Sequence, residues 1–112
     1  MASTPEGKVK EACKKYLKSI GAWFFMPVSN GMGQVGIPDI ICCYKGMFVA
    51  VETKAPGKRN NTTPNQERVI DAIRGADGWA VVVDDVEQLH TFFTAIKAYQ
   101  ILENGNAQID PS

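Results

Sequence analysis

The chain has 112 residues, 45% hydrophobic and 21% charged, with twelve Lys and Arg against twelve Asp and Glu. That length makes one domain that buries roughly 65% of its unfolded surface, and the composition excludes a disordered chain and leaves no need for disulfide staples. The zero net charge conceals an asymmetry: residues 1–68 hold ten basic and five acidic side chains and residues 69–112 two and seven, which fits a basic face or a merely solvated one.

The runs "AWFFMPV", "MFVAV" and "WAVVV" are far shorter than the roughly 20 residues that span a bilayer, and the N-terminus lacks a signal peptide's apolar stretch. A soluble, cytoplasmic protein is expected. Cys13, Cys42 and Cys43 offer neither a disulfide framework nor zinc spacing, and the adjacent pair is expected in the core.

In chain order, Ser3 and Glu6 have capping-box spacing, Pro5 suits a first turn, and Val9, Cys13, Tyr16, Leu17 and Ile20 share one helical face that ends at Gly21. "AWFFMPV" reads as a strand, and "SNGMGQVG" as a loop. "PDIICCY" and "MFVAVETK" form a hairpin about Lys45-Gly46. After the polar loop "APGKRNNTTPNQ", Thr63 to Gln66 opens a helix carrying Val69, Ile70 and Ile73 inward. "WAVVVDD" is a buried strand parallel to "MFVAVETK". A last helix carries Leu89, Phe92, Phe93 and Ile96. The order is α-β-β-β-α-β-α, an α/β mixed four-stranded sheet flanked by helices, with one domain over residues 1–102 and a flexible tail over 103–112.

The hairpin carries the puzzle. If Lys45 and Gly46 are the turn residues, facing positions sum to 91, so Asp39 faces Glu52 on a close pair, with Lys54 on the same face. Two carboxylates about 5 Å apart at an effective dielectric near 20 repel by about 3 kcal/mol. Three arrangements relieve this: neutralisation by Lys54, a shared proton, or a hard cation between the oxygens. An oxygen-only site beside a lysine suits Mg²⁺ or Mn²⁺, which keep waters for a phosphate to displace. Asp39→Ala and Glu52→Ala are each expected to leave the fold intact or slightly stabilised, since each removes half of a repelling pair.

Pro38-Asp39 and Glu52-Thr53-Lys54, thirteen residues apart in this element order, resemble the PD-(D/E)xK nuclease superfamily. Glu11 on the first helix, the "SNG" and "GIPD" steps, "VETKAPG" and Gln66 resemble more closely the VRR-NUC family, the virus-type replication-repair nuclease domain, over residues 8 to 95. The resemblance implies a restriction-endonuclease-like core in a stand-alone form, with metal on Asp39, Glu52 and the Thr53 carbonyl, a catalytic Lys54, and Glu11 and Gln66 completing the site. It also implies a viral or bacterial homodimer acting on branched DNA. Two features depart from the family: the neutral charge, and Thr53 where an apolar residue is usual, its side chain expected on the opposite strand face.

Lys58, Arg59 and Asn60 after the site, Lys14 and Lys15 on the first helix, and Ser29 and Asn30 in the glycine loop are candidate DNA contacts. Surface pairing explains Glu11 and the helix lysines equally well. His90 is expected to be structural or exposed. The expected activity is a metal-dependent DNA endonuclease selective for branched DNA such as four-way junctions. The alternatives are a duplex-cutting restriction or repair nuclease and a non-catalytic nucleic-acid-binding protein on the same fold.

Overall fold

Lys45 and Gly46 have φ of 49° and 83°. Two successive positive φ values make a type I′ turn, whose twist matches the strands on either side. The turn is held from outside as well, because Gln100 Nε2 donates to the Lys45 carbonyl at 3.1 Å.

The computed structural model describes residues 4–28 and 35–109, with side chains up to residue 103. Its elements are α1 (Pro5–Ser19), β1 (Trp23–Phe25), β2 (Ile40–Tyr44), β3 (Met47–Thr53), α2 (Pro64–Gly75), β4 (Trp79–Val83) and α3 (Val86–Ile109). The expected order therefore holds. The sheet runs β1-β2-β3-β4, antiparallel as far as β3 and parallel between β3 and β4.

Alternation of side chains along β3 divides the core in two. Val49 and Val51 pack with Val9, Cys13 and Leu17 of α1 and with Leu89, Phe93 and Ile96 of α3. Ala50 faces the other way, toward Ala80 and Ile70. Glu52 continues the Ala50 parity and Thr53 the Val51 parity, so the charged end of β3 lies where both layers meet.

Four local expectations need correction. The N-cap of α1 is Thr4, whose hydroxyl accepts from the Gly7 amide at 2.9 Å; Ser3 lies outside the described residues. The first strand is only Trp23–Phe25, for Pro27 has no amide to extend a ladder. Cys43 is exposed while Cys13 and Cys42 are buried, and all three are free. That follows from alternation, since Cys43 falls opposite the partly exposed Phe48 rather than under α1. Finally, α3 continues through the segment read as a tail to Ile109, with no proline before residue 111 to stop it.

Burial raises the thiols of Cys13 to about 11 and Cys42 to about 12, so neither offers a thiolate at neutral pH. His90 is exposed and lies against Tyr16, the ring centres 5.3 Å apart and the planes tilted by 46°. No helix among the described residues is long and apolar enough to cross a membrane.

Candidate active site

β3 and β4 run parallel, so their carboxyl ends coincide, and the Lys54 amide extends the ladder by donating to the Val83 carbonyl at 2.9 Å. Crevices at the carboxyl ends of parallel strands are the usual ligand sites of open α/β sheets. Glu52, Thr53 and Lys54 are all buried there, at 4%, 0% and 9% exposure.

The hairpin register matches the expected sum from Tyr44↔Met47 to Ile40↔Val51 and then stops. Asp39 stands just outside the ladder. Its Oδ2 accepts from the Thr53 amide at 3.0 Å and the Thr53 hydroxyl at 2.7 Å. Two expectations are thereby corrected: Asp39 is fixed to Thr53 rather than simply facing Glu52, and the Thr53 side chain belongs to the site. An apolar residue at position 53 would lose the hydroxyl bond.

Glu52 is fixed from α2. Gln66 Nε2 donates to Glu52 Oε2 at 2.9 Å, while Gln66 Oε1 accepts from Lys54 Nζ at 2.9 Å and from the Thr63 amide at 3.0 Å. Three polar neighbours thus set the amide's orientation, because a flipped Gln66 would aim its NH₂ at an ammonium and an amide. The Gln66 amide also donates to Thr63 Oγ1 at 3.2 Å, completing a capping box. One glutamine starts the helix and ties it to two of the site's charges.

Charge decides what the site accepts. Lys54 Nζ lies 3.4 Å from Glu52 Oε2, and Lys10 Nζ of α1 lies 3.6 Å from Asp39 Oδ1. Glu52 Oε1 is buried, with no hydrogen-bond partner among the described residues. Burial, and then the Asp39 carboxylate, push the Glu52 carboxyl up to about 7 against the pull of Lys54. An orphaned buried carboxylate oxygen is costly and is the sort of atom a cation would satisfy. Among the described residues no three His, Cys, Asp or Glu side chains cluster for a metal. A cation here would rest on two carboxylates and a backbone oxygen, with waters completing the shell, which suits Mg²⁺ or Mn²⁺.

Gly36 brings the halves together. Its φ is 87°, and a Cβ there would stand 2.6 Å from the Asn65 carbonyl carbon and 2.9 Å from the Gln66 nitrogen. The segment leading to Asp39 therefore rests directly on the first turn of α2. Gly36→Ala is expected to cost about 2–4 kcal/mol in chemical denaturation, from a strained φ and a clash with backbone. Gln66→Ala is expected to cost about 1–3 kcal/mol by the same measurement, because it removes half of the capping box and strips partners from buried Glu52 and Lys54.

Glu11 is not brought to this cluster. Its half-exposed carboxylate pairs with Lys14 at 3.0 Å, and a helix turns about 100° between it and Lys10. Lys10 is the α1 residue that reaches Asp39, and sequence reasoning missed it; its signal is its place beside Val9 at the edge of the buried stripe. Lys15, Lys58 and Asn60 are exposed. Arg59 is partly committed, since its Nε donates to the Val82 carbonyl at 3.0 Å. Asp84 also went unnoticed: its Oδ2 accepts from the Gly57 amide at 3.0 Å and its Oδ1 from Gln88 Nε2 at 2.6 Å, pinning the loop after Lys54 to the start of α3. Ser29 and Asn30 lie outside the described residues.

No family model matches the sequence, and no curated protein is significantly similar to it. The fold does find a counterpart. A solved structure described as a VRR_NUC domain has a TM-score of 0.66 and 25% identity to this chain, covering 82% of this chain and 97% of that one.

Proposed function

We propose that this chain, which belongs to the VRR-NUC family of the PD-(D/E)xK nuclease type, hydrolyses DNA phosphodiesters with a divalent cation held by Asp39 and Glu52. The observation that carries the reading is the division of labour within each carboxylate. Asp39 Oδ2 is tied to Thr53 and Glu52 Oε2 to Gln66 and Lys54. Asp39 Oδ1 lies near Lys10, and Glu52 Oε1 has no hydrogen-bond partner among the described residues.

Asp39, Glu52 and the Thr53 carbonyl are the groups that would hold Mg²⁺ or Mn²⁺. Such an ion supplies Lewis-acid polarisation of the phosphoryl oxygens and a more acidic water. The chain's own residues do the rest. Gln66 holds Lys54 and Glu52 in a fixed relation, so the Lys54 ammonium is set beside the reacting phosphate, where it steadies developing negative charge or orients the attacking water. Water adds to phosphorus, one P–O ester bond breaks, and the leaving oxygen takes a proton. Lys58, Asn60 and Lys15, all exposed, and the remaining N–H groups of Arg59 are candidates to contact the backbone phosphates and set register without reading sequence. Glu11, paired with Lys14, stays a secondary candidate through the family resemblance alone.

The proposal extends, by family resemblance, to branched DNA and a homodimer: two copies about a twofold axis would set two sites against two strands of a four-way junction. The test compares linear, flapped and four-way DNA of one sequence in Mg²⁺ and in Mn²⁺. Faster cutting of the branched substrates is expected. Equal cutting of the linear duplex favours a restriction or repair nuclease, and binding without cutting in either metal favours a non-catalytic binding protein.

A further inference from the structure

Lys10 is the one element of the cluster that the proposed chemistry does not use. It sits at the edge of the α1 stripe formed by buried Val9, Cys13 and Leu17, and its side chain is one-third exposed, against 23% for Asp39. Its ammonium lies 3.6 Å from Asp39 Oδ1, the oxygen that Thr53 leaves open. The neighbouring acid, Glu52, has its own open oxygen in Oε1. A divalent ion drawing on both carboxylates would need Oδ1, and it would meet an ammonium already placed there. Two cations on one carboxylate oxygen repel strongly at this depth, so one must leave. The lysine can, for its stem is flexible and its head reaches solvent readily.

We infer that Lys10 is a built-in counter-cation for Asp39: it neutralises the carboxylate in the metal-free protein, yields Oδ1 to an incoming divalent ion, and thereby sets the affinity for that ion. This rests on the metal reading proposed above. It also implies that α1 contributes a competitor to the site rather than another ligand. Lys10 is thus a positioning residue whose effect passes through Asp39.

The test is Mn²⁺ binding to the full chain, followed by calorimetry at pH 8, for wild type, Lys10→Met, Lys10→Arg and Lys18→Met. Lys18 is an exposed lysine of the same helix, so its variant has the same charge as Lys10→Met. Lys10→Met is expected to bind Mn²⁺ about tenfold more tightly, while Lys10→Arg and Lys18→Met stay close to wild type. Thermal unfolding gives the second readout. In chelator Lys10→Met should melt lower than Lys18→Met, and saturating Mn²⁺ should raise its midpoint by more than it raises wild type's. Equal or weaker Mn²⁺ binding by Lys10→Met overturns the inference but leaves the metal site standing. Saturable binding in none of the four proteins removes the metal reading itself, and the inference with it.

Discussion

Glu52→Gln is expected to lose roughly a thousandfold or more in phosphodiester cleavage and, in the same preparation, to gain stability when no metal is present. Loss of cutting follows from removing a charge that the proposed cation needs. The gain follows from linkage. The Glu52 carboxyl is raised from 4.5 to about 7 in the fold, so ionising it costs more in the native protein than in the unfolded chain. Its contribution is favourable at low pH, where both states are protonated, and is lost as pH rises from about 4.5 through about 7. A shift of this size corresponds to at most about 3 kcal/mol. Gln does not titrate, and the pull of Lys54 is already contained in the raised value, so the gain above pH 7 should approach that bound. Urea denaturation in chelator at pH 8 and at pH 4 measures it: Glu52→Gln exceeds wild type at pH 8 and equals it at pH 4. Saturating Mn²⁺ at pH 8 should reverse the order, because only wild type is then stabilised by binding.

Asp39→Ala is expected to behave in the opposite sense, contrary to a count of repelling charges. Relief of repulsion with Glu52 is outweighed by what Thr53 loses. Its amide and its fully buried hydroxyl both depend on Asp39 Oδ2, and a buried donor left without a partner costs about 1–3 kcal/mol. A net loss of about 2–4 kcal/mol in urea denaturation at pH 8 is expected. Asp39→Asn keeps an acceptor oxygen for Thr53 and should stay within about 1 kcal/mol of wild type. An Ala variant as stable as wild type would show that the Thr53 contacts contribute nothing.

Pattern reached the scaffold more easily than the site. The apolar spacing of Val9, Cys13 and Leu17, the Lys45-Gly46 turn and the Thr63–Gln66 box each have one dominant local cause, and each appears where that cause puts it. The hairpin register also brought Asp39 and Glu52 to one end of the sheet. What pattern missed is tertiary. Extending the ladder by one residue overlooked that a strand end is free to turn, which lets Asp39 bond Thr53 instead of only facing Glu52. Lys10, Gly36 and Asp84 act through contacts with residues 29, 29 or 30, and 27 positions away, and no local period encodes those. Glu11 was favoured because acids on the first helix fit the family's pattern, yet its place on the helix turns it toward Lys14.

The central claim is that Asp39 and Glu52 together hold one divalent ion. Calorimetric titration of Mn²⁺ into wild type, Asp39→Asn and Glu52→Gln at pH 8 tests it with little disturbance of the fold. Saturable binding by wild type that is lost in both variants is the predicted result. Wild-type affinity retained in either variant would contradict it.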